Sequence, residues 1–326
     1  MKHISILVPV GQVALGCIEG PFILFNQINT FLAQAGKPPA FRVQLVGMDG
    51  AQQVYHRLFR VQPDVTLAEV QQTDLIIIPA VNGDMGQVIA TNQGFFPWIV
   101  KHYKTGTEVA SLCVGAFLLA ATGLVDGKKC STHWSMQHSF CEMFPAVHLV
   151  SDRIITDEHG VYSSGGANSF WNLLLYLIEK FTDRKMAVLA SKYYAIEIDR
   201  TSQSPFAMFH GQKTHTDNQV MQAQLYIEQH YREKISVEQL AKMLALGRRN
   251  LERRFKKATS NTVAEYIQRV KMEAAKLSLE SSHENVNEVM YKVGYTDTKA
   301  FRTTFKRITG LSPTSYRTRY NTRAVA

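Results

Sequence analysis

The fold of the C-terminal third is decided by residues 286–313, which read VNEVMYKVGYTDTKAFRTTFKRITGLSP. Apolar residues recur at helical spacing over 286–293, a short turn containing glycine follows, and a second helix is predicted over 297–309. Phe301 and Phe305 are four residues apart, so we expect them to bury one face of this second helix and to leave the other exposed. Two helices joined in this way predict a helix-turn-helix unit.

A similar pattern lies upstream of this stretch. Ser236 is suited to an N-cap and opens a predicted helix over 236–244, which a short turn connects to another helix over 248–258. Leu251 and Phe255 repeat the four-residue spacing of the buried pair. A long helix predicted over 263–279 connects the two patterns, so the sequence predicts two helix-turn-helix units in one chain.

The exposed faces of the two second helices carry the side chains that we expect to contact DNA. In the first unit they are Arg248, Arg249, Glu252, Arg253 and Lys256, and in the second they are Thr298, Lys299, Arg302 and Lys306. Arg can bond guanine with two hydrogen bonds, Thr can contact a thymine methyl group, and Lys near a helix end suits phosphate. Two such units can enter successive major grooves, roughly 34 Å apart, on one face of the duplex.

Positive charge is concentrated in the same part of the chain. Residues 211–326 contain 21 Lys and Arg against 11 Asp and Glu, whereas residues 1–210 contain 15 against 16. A basic module joined to a nearly neutral one is typical of polyanion binding, because each neutralised phosphate releases counterions. A merely solvated basic face is the alternative interpretation.

Particular residues of this region resemble the signature of AraC-type transcription regulators. They are Val293-Gly294-Tyr295-Thr296-Asp297, Phe301-Arg302-Thr303-Thr304-Phe305-Lys306, Gly310-Leu311-Ser312-Pro313 and Tyr316-Arg317. The resemblance extends over residues 218–320, although Leu246-Gly247 stands where a Met-Ser pair is more usual. It implies sequence-specific binding of double-stranded DNA, with RNA polymerase as a further partner. A helical bundle that binds a protein instead is the alternative.

The N-terminal part alternates short apolar runs with amphipathic stretches. Buried strands are predicted over 4–10, 41–46, 75–79 and 109–113, and a helix is predicted over 22–35. Strands and helices in alternation predict a parallel sheet that is covered on both faces. The fold class is therefore an α/β parallel-sheet sandwich of flavodoxin-like type, followed by an all-α domain with two helix-turn-helix units.

The chain is predicted to contain two domains joined by a linker. Helices predicted over 169–181 and 184–198 end the α/β part, and periodicity is lost over 199–217. We therefore predict a sensor domain over 1–198, a linker over 199–217 and a DNA-binding domain over 218–326. We also expect a homodimer formed through the sensor domain.

Cys113 lies where a predicted strand turns sharply into a helix, the order found in a nucleophile elbow. The helix N-terminus is expected to lower the pKa of its thiol by favouring the thiolate. His133 is a candidate neighbour, and the two residues suggest a hydrolytic pair. The plainer interpretation is that Cys113 is a small buried apolar residue and that His133 caps a helix.

The stretch around this cysteine resembles the PfpI/class I glutamine-amidotransferase-like superfamily. The residues are Cys113-Val114-Gly115-Ala116, Gly123-Leu124-Val125-Asp126-Gly127 and Thr132-His133-Trp134. The GlxA-like regulators, the branch fused to AraC-type modules, are more similar still, and the segments Ser163-Ser164-Gly165-Gly166 and 200–206 share this likeness. The resemblance covers residues 3–200 and implies an effector of the amino-acid, betaine or carnitine-like class.

Departures from the superfamily argue against catalysis. Peptidase members place His directly after the cysteine, where this chain has Val114, and Cys17 replaces an acidic residue that often faces the cysteine. Asn172 stands where the regulator branch usually has Asp. We therefore predict no catalytic residue and a pocket that binds a small molecule, with Glu19, Cys113, His133 and Trp134 as candidate residues. The elbow amides suit a carboxylate and Trp134 suits a cationic group, although a tryptophan is more often part of a core.

Two alternative functions stay open from the sequence, a Cys-dependent amidase or hydrolase and a thiol redox sensor, each with a DNA-binding tail. The four cysteines form no CxxC pair, so we predict no disulfide, no metal site and no cofactor. No stretch reaches about 18 uncharged apolar residues, and the first apolar run is too short for a signal peptide. We therefore expect a cytoplasmic protein without a membrane partner.

Overall fold

The computed structural model describes residues 1–321 and divides the chain into two units, with the division between Gln203 and Ser204. The strands of the first unit are β1 (Lys2–Leu7), β2 (Gln12–Val13), β3 (Phe41–Gly47), β4 (Gln53–Tyr55), β5 (Phe59–Val61), β6 (Val65–Thr66), β7 (Leu75–Ile78), β8 (Val81–Asn82), β9 (Glu108–Ser111), β10 (Lys129–Cys130), β11 (His148–Leu149), β12 (Ile155–Glu158) and β13 (Val161–Ser164). Its helices are α1 (Gly16–Gln34), α2 (Met85–Asn92), α3 (Phe95–Lys104), α4 (Ala116–Ala121), α5 (Gln137–Met143), α6 (Phe170–Phe181) and α7 (Arg184–Tyr193).

The first unit is built on a seven-stranded sheet with the strand order β12-β13-β9-β7-β1-β3-β6. Every neighbouring pair in this sheet is parallel except β12 and β13, which are antiparallel. All four residues of Leu75–Ile78 are buried, because a central parallel strand is covered on both faces. The predicted α/β fold class is confirmed, and the antiparallel strand at one edge is a feature that the sequence analysis did not foresee.

Helix α1 begins six residues earlier than the sequence pattern predicted. Its first turns contain Cys17, Ile18 and Gly20, all of which are buried. A ring of Phe170 would contact any Cβ at position 20, so the glycine allows α1 and α6 to approach closely. Tertiary packing therefore extends the helix beyond the segment that has clear apolar periodicity.

The second unit is helical over its described residues. Its helices are α8 (Asn218–His230), α9 (Val237–Met243), α10 (Arg248–Thr259), α11 (Val263–Ser281), α12 (Val286–Lys292), α13 (Thr298–Thr309) and α14 (Pro313–Tyr320). Their buried residues form two hydrophobic clusters. The first core contains Leu251, Phe255 and Tyr266, and the second core contains Phe301 and Phe305. The long helix α11 contributes to both cores, so it joins the two helix-turn-helix units into one structure.

The interval 199–217, which the sequence analysis assigned to a linker, is divided between the units. Gln203 is buried in the first unit, whereas Pro205 and Phe209 contact the second. The carbonyl oxygen of Pro205 accepts a hydrogen bond from Tyr320 Oη at 3.0 Å, and the amide of Phe209 donates to Glu273 Oε2 at 3.1 Å. The last five residues of the predicted domain 218–326 lie outside the described residues. Within residues 1–321, no helix combines the length and apolarity needed to span a membrane.

Candidate DNA-binding interface and sensor site

The first helix-turn-helix unit consists of α9, a short turn and α10. The hydroxyl of Ser236 caps α9 by accepting a hydrogen bond from the amide of Gln239 at 3.1 Å. Ala245 adopts a positive φ of 51° in the turn that redirects the chain. Leu251 and Phe255 are fully buried, so the side of α10 that points away from the first core is fixed.

That outward side of α10 carries exposed Arg249, Arg253 and Lys256. Arg248 is also exposed, but its guanidinium forms ion pairs with Glu238 at 2.5 Å and with Glu252 at 3.2 Å. Exposed ion pairs contribute little net stability and exchange readily with solvent. The candidate contact residues of the first unit thus lie on one surface, with two of them paired to each other.

The second unit repeats this construction with α12 and α13. Asn285 and Glu288 form a reciprocal capping box at the start of α12, and Gly294 provides a positive φ of 76° in the turn. Asp297 caps α13 by accepting a hydrogen bond from the amide of Ala300 at 2.8 Å. These polar caps fix where each helix begins.

The exposed face of α13 is opposite its buried phenylalanines. Phe301 and Phe305 are fully buried, whereas Lys299, Arg302 and Lys306 are exposed and Thr298 is half-buried. The structure therefore brings together the four predicted contact residues of the second unit on one helical surface.

Two arginines near these surfaces have structural partners. Arg254 donates two hydrogen bonds to the carboxylate of Asp217, and Arg307 donates to Gln268 Oε1 at 2.6 Å. Arg254 follows Arg253 directly, and the helical turn of about 100° per residue moves it away from the exposed face. That periodicity is the sequence signal that distinguishes the two arginines.

In the α/β unit, residues 1–203, Cys113 lies at the predicted elbow between β9 and α4. Its φ of 55° is in the left-handed region, which L-residues rarely adopt. The amide of Cys113 donates to Ser164 Oγ at 3.2 Å. Gly115 allows the turn to approach β7, because a Cβ there would lie 2.6 Å from the carbonyl oxygen of Ile78. The turn geometry matches the sequence-based description of an elbow.

The expected lowering of the Cys113 thiol pKa is wrong. Burial of the side chain raises this pKa to about 12, and the neighbouring Cys17 raises it further, against a smaller opposing effect of the Val114 amide. A thiol without solvent or a counter-charge favours its neutral form, and this desolvation outweighs the helix terminus. Cys113 is therefore a poor nucleophile at neutral pH.

Among the described residues, the hydrogen bonds of the His133 imidazole are made with Ser135 and not with this thiol. Its Nδ1 lies 2.7 Å from Ser135 Oγ and accepts a hydrogen bond from the Ser135 amide, so the imidazole caps the short helix that follows. Its pKa is lowered by partial burial. The ring of Trp134 lies beside it, with ring centroids 5.1 Å apart. The plainer interpretation of His133, a helix cap, describes the geometry.

Glu19 and Cys17 lie on different sides of α1, as expected for residues two positions apart on a helix. Glu19 is exposed and lines a shallow surface groove with Phe22 and Arg60. Cys17 is buried and acts electrostatically on Cys113. The structure thus directs Cys17 toward the elbow and leaves Glu19 at the surface.

Gln203 is a buried residue of this region that sequence reasoning missed. Its Nε2 donates to the carbonyl oxygens of Thr132 at 2.9 Å and Ser151 at 3.0 Å, and its Oε1 accepts from the amide of Trp134 at 3.1 Å. Thr132 in turn donates through Oγ1 to the carbonyl oxygen of Cys113 at 3.3 Å. A chain of hydrogen bonds therefore connects the elbow to Gln203, the last residue of the α/β unit.

Within residues 1–321, no group of three or more His, Cys, Asp or Glu side chains is arranged to hold a metal ion. Asn172 stands where the similar regulators usually have Asp. It donates through Nδ2 to the carbonyl oxygen of Glu197 at 2.6 Å. Its amide is therefore engaged in holding the chain after α7.

Comparisons with known proteins agree with this architecture. Residues 240–319 match the helix-turn-helix domain family, and residues 29–180 match the DJ-1/PfpI family. The chain is 23% identical over 274 residues to the HTH-type transcriptional regulator GbdR of Pseudomonas aeruginosa, which covers 84% of this chain and 74% of GbdR. It is 22% identical over 278 residues to the HTH-type transcriptional regulator CdhR of the same species, covering 85% of this chain and 82% of CdhR.

A solved structure of an AraC family transcriptional regulator from Pseudomonas putida has the same α/β fold. It matches with a TM-score of 0.51 at 14% identity and covers 60% of this chain and 100% of that chain.

An α/β unit with a cysteine elbow, joined to two helix-turn-helix units, defines a DNA-binding transcription regulator. The chain thus combines a DJ-1/PfpI domain with a helix-turn-helix domain of AraC type, and it resembles transcription regulators over most of its length. GbdR and CdhR, which match 84% and 85% of this chain, are both transcription regulators, and this supports the role of transcription regulator for the chain.

Proposed function

We propose that α10 and α13 both read DNA, each through the surface opposite its buried apolar pair. The observation that carries this proposal is the repeated construction of the two helix-turn-helix units, in which the second helix buries apolar residues four apart and exposes cations on the other side. In the first unit the contacts come from Arg248, Arg249, Glu252, Arg253 and Lys256, and in the second from Thr298, Lys299, Arg302 and Lys306. Arg302 reads a base edge and Lys306 binds phosphate.

Arg248 and Glu252 enter this interface as a pair. In the absence of DNA, Arg248 is divided between Glu238 and Glu252, which partly neutralises the start of α10. The face of α13 has no acidic member among its proposed contacts. We therefore expect the second helix-turn-helix unit to contribute more of the electrostatic affinity for phosphate. The first helix-turn-helix unit should contribute proportionally more to the discrimination between bases.

The sensor domain, proposed to end with the first structural unit, binds a small-molecule effector near the elbow. Cys113, His133 and Trp134 are its candidate contacts, and Glu19 is a surface candidate at the other side of α1. The effector class is an amino acid, betaine or carnitine-like compound, which combines a carboxylate with a cationic nitrogen. The elbow turn suits the carboxylate and Trp134 suits the cationic group.

Gln203 supplies the route by which this site influences DNA binding. An effector that shifts residues 132–134 changes the hydrogen bonds of Gln203. The next residue along the chain, Ser204, belongs to the helical unit that contains both helix-turn-helix units. The effector alters DNA binding only by binding one conformation more tightly than the other. We further propose that the protein acts in the cytoplasm as a homodimer formed through the sensor domain, with RNA polymerase as a partner.

A salt-titrated binding assay tests this function. Full-length protein is titrated against its own upstream DNA and against a scrambled duplex, with and without pools of amino acids and quaternary amines. We expect tighter binding to the upstream DNA, a steep loss of affinity with salt, and a shift in affinity caused by one pool. Equal and weak binding to both duplexes would contradict the DNA-reading role, and specific binding that no pool changes would contradict the effector role.

A further inference from the structure

The two cores of the helical unit meet at one position of α11, and a charged side chain occupies it. Val270 packs against the first core and Met272 belongs to the second, with Lys271 between them. Lys271 is 8% exposed, although an ammonium group is rarely buried without strong partners. Its position at the junction requires an explanation beyond simple packing.

The partners of Lys271 come from both helix-turn-helix units. Its Nζ donates to the carbonyl oxygen of Glu233, in the segment between α8 and α9, at 3.4 Å. It also donates to the carbonyl oxygen of Gly294, in the turn between α12 and α13, at 3.2 Å, and lies 5.5 Å from the ring centroid of Tyr295. A single buried cation thus holds the first unit's connecting segment against the second unit's turn.

The backbones of the two units approach closely beside this lysine. Any Cβ at Gly294 would overlap the carbonyl oxygen of Arg232, so the glycine is required for the approach as well as for its positive φ. Tyr231, at the end of α8, packs against the second core. The junction is therefore a fitted contact, and its geometry depends on the carbonyl oxygens that Lys271 holds.

We propose that Lys271 is a positioning residue that fixes the placement of α10 relative to α13 and thereby sets the spacing of the two DNA half-sites. This inference rests on the proposed reading of DNA by both helices. One inserted base pair displaces a half-site by about 3.4 Å and rotates it by about 34°, so a rigid pair of readers discriminates sharply between spacings.

The same helix offers a matched control. Lys276 is also a buried lysine of α11, at 4% exposed. Its Nζ donates to the carbonyl oxygen of Ala207 at 2.7 Å and to Glu273 Oε2 at 2.8 Å. Neither partner connects the two helix-turn-helix units. Lys276→Met therefore removes a buried ammonium from α11 without altering the junction.

The experiment measures spacing preference with full-length protein. Preferred half-sites are selected from randomised duplexes, and affinities are then measured for duplexes with one to five base pairs inserted between them. For the wild type and Lys276→Met we expect about a ten-fold or greater loss on the first insertions. For Lys271→Met we expect a flattened profile, with affinities within about three-fold of one another, and for Lys271→Arg we expect the wild-type profile.

A folded Lys271→Met protein with the wild-type spacing profile overturns the inference. If that variant does not fold, Lys271→Gln, which retains a polar side chain but is shorter and uncharged, takes its place, and an unchanged profile in that variant overturns the inference equally. If the wild-type protein selects no DNA sequence, the proposed reading of DNA by two helices is contradicted. If the wild type shows a sharp spacing preference and Lys271→Met shows the same one, only the positioning role of Lys271 is contradicted.

Discussion

Arg254 and Asp217 form a two-bond ion pair that joins α10 to the start of α8. Nε and Nη2 of the guanidinium lie 2.8 Å and 2.6 Å from the two carboxylate oxygens. The same carboxylate caps α8 by accepting a hydrogen bond from the amide of Val220 at 3.1 Å. One acidic side chain therefore caps the start of α8 and holds one side of α10.

This pair predicts an acid sensitivity of the helical unit. The hydrogen bond from Arg254 is the largest effect that holds the pKa of Asp217 below its usual value. A lowered folded-state pKa contributes stability that is present above the unfolded pKa of about 3.9 and is lost as the pH falls through the folded value. We expect the wild type to lose stability below about pH 4 and Asp217→Asn to show a shallower dependence over that range. Urea unfolding at several pH values measures both slopes, and parallel slopes for the two proteins would contradict the prediction.

Arg302 is predicted to contribute to sequence discrimination. Arg302→Ala should weaken binding to the preferred duplex by roughly 1–3 kcal/mol and should relax the preference at one base pair. Arg184→Ala provides a control of equal charge change, because Arg184 lies in the first unit and pairs with Glu179. Fluorescence anisotropy against single-position variants of the duplex measures the effect. Unchanged affinity in Arg302→Ala would exclude this residue as a base contact.

The buried cysteines are predicted to be unreactive in the folded protein. Burial raises the pKa of Cys17 and of Cys130 to about 11, and that of Cys113 to about 12, whereas Cys141 is exposed. Alkylation of native protein at pH 8, followed by mass spectrometry, should modify Cys141 first and leave Cys113 protected, because the thiolate is the reactive form. Cys113→Ser should retain DNA binding. Rapid modification of Cys113 with loss of binding would favour the thiol-sensor alternative.

Gln203 is predicted to couple effector binding to DNA binding. Gln203→Ala removes the donor to the buried Thr132 carbonyl oxygen and the acceptor of the Trp134 amide, so we expect it to lower the free energy of unfolding by roughly 1–3 kcal/mol. We also expect operator affinity to become insensitive to the effector pool. Gln137→Ala is the matched control, since the side chain of Gln137 donates to the same Ser151 carbonyl oxygen at 3.3 Å but takes no part in the hydrogen bonds of Gln203 to Thr132 and Trp134. An effector response that survives in Gln203→Ala would argue for another route.

The helix-turn-helix units could be predicted because their signals are local. Phe301 and Phe305 are four residues apart, and Gly294 adopts the positive φ of the turn. Asp297 caps the helix by accepting a hydrogen bond from the amide of Ala300, three residues later. Each of these effects depends on backbone geometry within one or two helical turns. For the same reason the strand-to-helix turn at Cys113 could be located from the order of apolar and small residues.

Long-range packing determined what these local signals left open. Glu19 and Cys17 are two residues apart, yet only the packing of α1 decides that Cys17 is buried beside the elbow and Glu19 is exposed. The thiol pKa of Cys113 depends on how completely surrounding elements exclude water, which helix position alone does not specify.

The sequence by itself determined the two-part architecture, the two helix-turn-helix units and their cationic faces, because periodicity, capping and charge are properties of neighbouring residues. Only the tertiary structure decided the roles of Gln203, Arg254 and Lys271, since their hydrogen-bond partners include residues that are distant in the sequence. A buried polar side chain takes its function from the groups that replace its water, and folding is what brings those groups together.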